Sequence, residues 1–191
     1  HGALDINYRH RAANVDYKSG NIRDWIQQSG HAHDAMLVLD ADSRMGCESV
    51  VVLTDMLAAD DGLGLVQSVP TALPGRSVWQ RMQSFASRAH GQSLGRGLAL
   101  VSGGDGNFYG HNAIVRVRAF AASAGLPHID APPPFGGVIM SHDFVEAALL
   151  RRAGWRVAFA PEAEDSFEDT PETLSGFIRR DSRWCHGNMQ H

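Results

Sequence analysis

The chain has only two cysteines, Cys47 and Cys185, and they lie far apart in the sequence. A disulfide framework needs several paired cysteines, so their scarcity argues against one and favours a reducing compartment. Long apolar runs are also absent, because none approaches the ~18 consecutive apolar residues that a membrane-spanning helix requires. Taken alone, the sequence therefore predicts a soluble domain.

Basic charge is scarce as well. The chain has 17 Lys and Arg against 21 Asp and Glu, which gives a net charge of −4 with histidine neutral. Proteins that bind nucleic acid through phosphate neutralisation normally carry a basic excess, so we expect no nucleic-acid partner. The 10 histidines do not form the His or His/Cys spacings of a zinc site. These absences leave an ordinary globular protein whose chemistry must come from other residues.

Apolar runs alternate with amphipathic segments along the chain, which predicts an α/β fold with a mostly parallel sheet flanked by helices. The continuous apolar run Ala35–Leu39 is typical of a strand buried on both faces. The Gly-rich stretch Gly91–Gly106 indicates a loop, and Ala113–Ala122 has a helical pattern. Thr170 is predicted to cap the last helix of the chain.

The first candidate site is the pair Asp40 and Asp42, which directly follows the apolar run. In extended geometry residues two apart share a face, and ligands of open α/β sheets bind at the carboxyl ends of strands. Two carboxylates there suit Mg²⁺ or Mn²⁺ carrying a diphosphate. The alternative is a polar strand end in which one aspartate caps the next turn, and this spacing alone leaves both interpretations open.

Two further clusters combine acidic or polar residues with a predicted helix start. Asp143, in the stretch Ser141–Glu146, is either a general base for an acceptor hydroxyl or an aspartate favoured by the helix dipole. The run Gly110-His111-Asn112 is either part of a ligand pocket or a simple junction between a loop and a helix. The residues themselves do not decide between the alternatives for Asp143, and they favour the simple junction for Gly110-His111-Asn112.

The last cluster, Arg180, Arg183 and Trp184, has the spacing of one helix face. Two guanidinium groups beside an indole can hold a diphosphate and stack against a sugar. A solvated basic helix face, or an interfacial helix against anionic lipid headgroups, explains the same pattern.

Taken together and in order, these clusters resemble the family 2 glycosyltransferases of the processive type, whose pattern is K-x-G-N, D-x-D, a TED-like acidic site and QxxRW. The matching stretches are Lys18-Ser19-Gly20-Asn21, Asp40-Ala41-Asp42-Ser43, Gly110-His111-Asn112-Ala113, Ser141-His142-Asp143 and Arg180-Asp181-Ser182-Arg183-Trp184. Within that family, the longer stretches Ser141–Trp155 and Arg180–Asn188 are similar to the glucosyltransferases of osmoregulated periplasmic glucan synthesis. The chain departs from the general pattern with Arg180 in place of glutamine and with SHD in place of TED.

The resemblance implies a Rossmann-like nucleotide-diphospho-sugar transferase fold of the GT-A type. It also implies one glycosyltransferase catalytic domain over residues 1–191, which lacks the family's N-terminal strands and belongs to a larger multi-pass protein of the bacterial inner membrane, on the cytoplasmic face. The implied activity is that of an inverting β-glucosyltransferase, which passes glucose from UDP-glucose to a growing β-glucan. A synthase of another β-glycan, or a nucleotide-sugar sensing domain without catalysis, remains open.

The resemblance also implies a role for each matching residue. Asp40 and Asp42 would hold Mg²⁺ or Mn²⁺, and Asp143 would be the general base. The residues implied to contact the nucleotide, the diphosphate or the acceptor end are Lys18, Asn21, Asp40, Arg180, Arg183 and Trp184. The residues implied to line the acceptor pocket are Gly110, His111, Asn112 and His142.

Overall fold

The computed structural model describes residues 5–123, 125–132 and 134–190, which form a four-stranded sheet, a three-stranded sheet and the helices around them. The strands are β1 (Ala35–Val38), β2 (Arg44–Met45), β3 (Leu63–Ser68), β4 (Thr71–Ala72), β5 (Ala113–Arg116), β6 (Arg156–Ala160) and β7 (Ser166–Glu168). The helices are α1 (Tyr17–Ser29), α2 (Cys47–Ala59), α3 (Val78–Ser102), α4 (Val117–Ser123), α5 (His142–Arg152) and α6 (Leu174–Asn188), with a 3₁₀ turn at Gly30–Ala32.

The larger sheet has the strand order β1-β5-β3-β6. Strands β1, β3 and β6 run in one direction, and β5 runs antiparallel to its neighbours β1 and β3. The α/β class is confirmed, and the expected common strand direction holds for every strand of this sheet except β5. The helical prediction for Ala113–Ala122 was wrong over Ala113–Arg116 and right only from Val117 onward. Burial at the centre of the sheet outweighed the local helical pattern there.

The hydrophobic core lies on both faces of the larger sheet. The buried strand β3 alternates between the faces, with Leu65 in one core cluster and Val66 in the other. Helices α1, α4 and α5 cover the first face, where Phe120 and Leu150 are buried. Helix α2 covers the second face with Leu53. This double coverage explains why every residue of β3 is buried, whichever face its side chain points to.

Helix α3 replaces the loop that was predicted for Gly91–Gly106, because the helix continues to Ser102. A capping box between Ser77 and Gln80 starts it. Its glycine at position 95 is buried against Val69, where an added Cβ would lie 2.8 Å from a methyl carbon. Of the glycines that suggested a loop, Gly95 therefore permits close packing of the helix against Val69. The helix also presents exposed apolar side chains, among them Phe85 and Leu94.

The last helix, α6, starts later than predicted. Thr173, and not Thr170, is its N-cap, since the Thr173 hydroxyl accepts a hydrogen bond from the backbone N–H of Gly176 at 3.1 Å. No helix within the described residues is both long and apolar enough to cross a membrane.

The smaller sheet, with the order β2-β7-β4, forms beside the site. Its central strand β7 pairs antiparallel with β2 and parallel with β4. The side chain of Asn112, just before β5, donates hydrogen bonds to Ser166 Oγ at 2.8 Å and to the carbonyl of Phe167 at 3.1 Å. This buried amide therefore joins the smaller sheet to the edge of the larger one.

Candidate active site

The pairing of β1 with β5 brings the Asp40 and Asp42 cluster and the Gly110-His111-Asn112 cluster together. Val38 at the end of β1 is opposite Ala113 at the start of β5. In an antiparallel pair, the residues that follow one strand and those that precede the other leave the sheet at the same edge. Ser43 Oγ accordingly lies 3.3 Å from His111 Nδ1, and the backbone N–H of Asp40 donates to Ser43 Oγ at 3.0 Å.

The Asp40-Ala41-Asp42 segment is a turn and not an extension of β1. The N–H of Ser43 donates to the carbonyl oxygen of Asp40 at 3.1 Å, which closes the turn. The expectation that extended geometry puts both carboxylates on one face was therefore wrong. Asp42 is exposed and makes no side-chain hydrogen bond or ion pair with any described residue. Its carboxylate remains free to bind a ligand.

Helix α1 brings Lys18 to this turn, where Lys18 Nζ forms an ion pair with Asp40 Oδ1. The glycine of the Lys18–Asn21 stretch, Gly20, is buried, and a Cβ there would lie 2.1 Å from a backbone oxygen of the preceding turn. Asn21 has a different partner, because its side-chain oxygen accepts a hydrogen bond from Arg9 at 2.6 Å. Among the described residues, the motif's hydrogen-bonded or ionic contact with another predicted site residue is that of Lys18 with Asp40.

Asp143 reaches the same edge by another route. It lies in the first turn of α5, which leads into β6, and β6 runs parallel to β3. A helix that precedes such a strand has its N-terminus near the carboxyl end of the strand. A Cβ added to Gly110 would lie 3.2 Å from Asp143 Oδ2, so the carboxylate of Asp143 lies directly over this glycine. The sequence-predicted base and the Gly110–Asn112 loop are therefore in contact.

Gly110 has φ +85°, in the left-handed region that only glycine adopts easily. We expect Gly110→Ala to destabilise the fold by about 1 to 2 kcal/mol through backbone strain. Because the new methyl group also crowds Asp143, we expect any activity that depends on this carboxylate to fall further than stability alone explains. Gly97→Ala is the matched control, since a Cβ at that helical glycine meets nothing within 4 Å. Parental stability and activity in Gly110→Ala would contradict this placement of Asp143.

The pair His142 and Glu146 lies on successive turns of α5, with His142 Nδ1 3.0 Å from Glu146 Oε2. Both side chains are largely buried, at 13% and 2% exposure. Burial lowers the pKa of His142, but the hydrogen bond and charge of Glu146 outweigh it, so the pKa stands above its ordinary value. Burial also raises the pKa of Glu146. Sequence reasoning assigned no role to Glu146, although a His and a Glu four residues apart on a helix is a readable signal.

His111 is held between the two sheets. Its Nε2 lies 3.4 Å from Glu168 Oε2 at the end of β7, and its Nδ1 lies 3.1 Å from Asn112 Oδ1. Burial lowers the pKa of His111, but the hydrogen bonds to Glu168 and Asn112 and the charge of Glu168 raise it above the ordinary value. Asn112 itself, with φ +51°, is fully buried, so its role in the described structure is to join the sheets.

Gln67, on β3, supports the loop that contains Gly110-His111-Asn112. The sequence analysis did not predict this role. Its amide donates to the carbonyl of His111 at 3.0 Å, and its side-chain oxygen accepts from the N–H of Tyr109 at 2.8 Å. A buried polar residue within an apolar strand was the available signal, because such a side chain must find partners.

The guanidinium of Arg180 stacks over the ring of Trp184 at 4.4 Å, which confirms that these residues share a face of α6. The Nε of Arg180 is buried without a hydrogen-bond partner among the described residues, and Arg183 is exposed.

At the end of α6, Gly187 approaches Ser141 so closely that a Cβ would lie 2.2 Å from Ser141 Oγ. The helix is thus anchored beside the start of α5. Within the described residues, no hydrogen bond or ion pair links Arg180, Arg183 or Trp184 to the site aspartates.

The carboxylates Asp40 and Asp42 fit a metal that is shared with a substrate. No group of three or more His, Cys, Asp or Glu that could hold a metal exists among the described residues, so an all-protein cage is absent there. Mg²⁺ is usually held by one or two carboxylates together with substrate phosphates and water. Two exposed carboxylates on one turn match that donor set.

Comparison with known proteins identifies the family of this chain. The model of the family described as Glycosyl transferase family group 2 matches residues 35–191. The motif resemblance is confirmed, and the mixed α/β fold is of the GT-A type.

Curated relatives named "Glucans biosynthesis glucosyltransferase H" align with nearly the whole chain. The protein from Caulobacter vibrioides (strain NA1000 / CB15N) is 48% identical over 187 residues, which is 98% of this chain and 28% of the relative. The protein from Cereibacter sphaeroides is 50% identical over 186 residues, 97% of this chain and 31% of the relative. That from Vibrio cholerae serotype O1 (strain ATCC 39315 / El Tor Inaba N16961) is 46% identical over 190 residues, 100% of this chain and 26% of the relative. The chain thus spans 28% of the length of the first of them. It belongs to glycosyl transferase family group 2.

Proposed function

We propose that this chain is the catalytic domain of an inverting β-glucosyltransferase, which uses UDP-glucose to build the backbone of an osmoregulated periplasmic glucan. The parent protein would be embedded in the bacterial inner membrane, with this domain on the cytoplasmic face. The observation that carries the proposal is the meeting of the Asp40 turn, the Gly110–Asn112 loop and Asp143 at one edge of the sheet. The names of the curated relatives supply the glucan and the glucosyl group.

The donor would bind at the Asp40 turn. Asp40 and Asp42 are the residues to hold Mg²⁺ or Mn²⁺, and Lys18 adds a cation beside Asp40. When bound, the metal supplies charge neutralisation for the diphosphate leaving group. Arg180 offers a buried Nε–H donor that has no partner among the described residues, as expected of a group that waits for an anionic or sugar ligand.

The acceptor would be activated by Asp143. Its carboxylate takes the proton of an acceptor hydroxyl, and the hydroxyl oxygen forms a bond to the anomeric carbon of glucose. The bond between that carbon and the β-phosphate oxygen breaks, and UDP leaves with the electron pair. One such displacement converts the α-linked donor into a β-linked product. Gly110 has no side chain, which leaves room for the acceptor at this carboxylate.

The deciding experiment is a transfer assay on the full-length protein in membranes, with radiolabelled UDP-glucose and Mg²⁺ or Mn²⁺. We expect metal-dependent incorporation of glucose into a β-linked glucan with release of UDP. Binding of UDP-glucose without transfer would show a nucleotide-sugar sensing domain instead. Linkage analysis that finds a cellulose-like polymer, or incorporation of N-acetylglucosamine into a chitin-like one, would identify a synthase of another β-glycan.

A further inference from the structure

We propose that Lys18 competes with the divalent metal for the carboxylate of Asp40, and that it leaves Asp40 for the donor diphosphate when metal and nucleotide bind together. Lys18 thereby makes the binding of metal and nucleotide cooperative. This inference rests on the proposed function, which assigns the metal and the donor to the Asp40 turn. The contact that carries it is the ion pair between Lys18 Nζ and Asp40 Oδ1.

The type of cation at position 18 differs from the basic residues in the rest of the sequence. Of the 17 basic residues, 16 are arginines, and Lys18 is the one lysine. An arginine can hold both oxygens of a carboxylate with its planar guanidinium, whereas a lysine binds as a point charge at the end of a flexible stem. The chain therefore places beside Asp40 the kind of cation that exchanges its partner more easily.

Lys18 is also held by fewer contacts than a neighbouring arginine. Arg11 donates hydrogen bonds to the carbonyl oxygens of Val15 and Tyr17, at 3.0 and 2.8 Å. Within the described residues, Asp40 is the hydrogen-bond and ion-pair partner of the Lys18 ammonium. The two side chains of this pair are 28% and 42% exposed, and ion pairs at such exposure contribute little to stability. Exchange of Asp40 for another anion therefore costs Lys18 little.

The backbone that carries Lys18 is fixed, so the exchange involves its side chain alone. Gly20, two residues further along α1, is buried, and a Cβ there would lie 2.1 Å from a backbone oxygen of the preceding turn. The ammonium group also acts on α5. Burial and the charge of Lys18 lower the pKa of His142, while Glu146 raises it above its ordinary value. The Lys18 ammonium therefore lies within the candidate site, in electrostatic range of both the Asp40 turn and α5.

The balance of charge couples the metal to the nucleotide. The turn carries two carboxylates, and Lys18 is paired with that of Asp40, while Asp42 is exposed. Binding of a metal alone displaces Lys18 from Asp40, and binding of a diphosphate alone adds negative charge beside the exposed Asp42. Binding of both gives Asp40 a new cation and gives Lys18 a phosphate oxygen, so that neither charge loses a partner.

The test is a titration of the purified full-length protein with Mn²⁺, in which electron paramagnetic resonance measures free Mn²⁺ with and without saturating UDP. In Lys18→Gln, Mn²⁺ should bind about two- to fivefold more tightly without UDP, since the competing ion pair is gone. Lys18→Arg should bind Mn²⁺ more weakly than the parent, because a guanidinium can hold both oxygens of Asp40. UDP should tighten Mn²⁺ binding in the parent, and Lys18→Gln should reduce this gain about tenfold through loss of a charge-assisted hydrogen bond to the diphosphate.

The matched control is Arg152→Gln, which removes one positive charge from an exposed residue at the C-terminal end of α5. It should leave both titrations at the parental level, and the same Mn²⁺ affinity in Lys18→Gln as in this control would overturn the competition. Lys18→Arg carries the test if Lys18→Gln does not accumulate, and parental Mn²⁺ affinity in Lys18→Arg would also overturn it.

The second part of the inference fails if UDP tightens Mn²⁺ binding equally in Lys18→Gln and the parent, because Lys18 then does not move to the diphosphate. A parent that binds no Mn²⁺ in the presence of UDP would overturn the whole inference. None of the outcomes for the Lys18 variants removes the proposed function, provided that the parent transfers glucose in the presence of Mn²⁺. Absence of glucose transfer by the parent would remove the proposed function, so the two failures are distinguishable.

Discussion

Asp143→Asn in the full-length protein is expected to abolish glucose transfer while UDP binding persists. Asparagine keeps the size and the helix-start position of the side chain, but it cannot accept a proton from a hydroxyl. General-base catalysis contributes about 10²- to 10⁴-fold to a rate, and a loss of that size is expected in kcat. Transfer is measured with radiolabelled UDP-glucose, and UDP binding is measured by calorimetry on the purified protein.

The control for this change is Asp55→Asn, which removes an exposed carboxylate on α2. It should leave both transfer and UDP binding at the parental level. A rate within about twofold of the parent in Asp143→Asn would exclude the base, because a step that contributes so little falls outside the range of general-base catalysis. Loss of UDP binding together with transfer would instead place Asp143 at the donor and not at the acceptor.

The second large effect is expected from Asp42→Ala, which should remove metal-dependent UDP binding. Asp42 is exposed and has no side-chain partner within the described residues, so the substitution should not affect folding. Substitution of a residue that only hydrogen-bonds to a metal ligand lowers metal affinity about 10- to 100-fold, and loss of a ligand itself should lower it at least as much. The measurement is a titration of UDP in the presence and absence of Mg²⁺ or Mn²⁺.

Asp42 is a cleaner probe than Asp40, because removal of Asp40 also leaves Lys18 without its ion-pair partner. Asp55→Ala serves as the control for loss of an exposed carboxylate. If the Asp42→Ala titration with Mg²⁺ or Mn²⁺ matches the parental one, Asp42 is not a metal ligand. A loss of transfer with unchanged metal-dependent UDP binding would also contradict the assignment.

Local sequence patterns predicted the elements that carry the site. The apolar run ending in Asp40 is β1 followed by a polar turn, and the helix that contains Asp143 starts where the pattern placed it. The shared helix face of Arg180 and Trp184 is visible as a ring contact. These predictions succeeded because each depends on the hydrophobic pattern or side-chain spacing of one segment, which a sequence displays directly.

Long-range packing caused two of the errors in the sequence-based predictions. Strand β5 looked helical, and its central position between β1 and β3 depends on partners that lie 45 or more residues away in the sequence. The second half of helix α3, from Gly91, looked like a loop because its glycines weaken helix propensity, yet Gly95 packs closely against Val69. The extended geometry expected for Asp40 and Asp42 gave way to a turn closed by Ser43. Tertiary contacts outweighed local preference in β5 and α3, whereas the turn at Asp40 is closed by a local hydrogen bond.

The sequence by itself determined the chemistry of this protein: carboxylates after a strand, an aspartate at a helix start and an arginine–tryptophan face, in an order that pointed to the family. Only the tertiary structure decided which of these residues meet. It put His111 beside the Asp40 turn, placed Gly110 under Asp143 and paired Glu146 with His142. The physical reason is that side-chain type and helical or strand spacing are local properties. Strand order and helix packing, in contrast, depend on burial contributed by the whole chain.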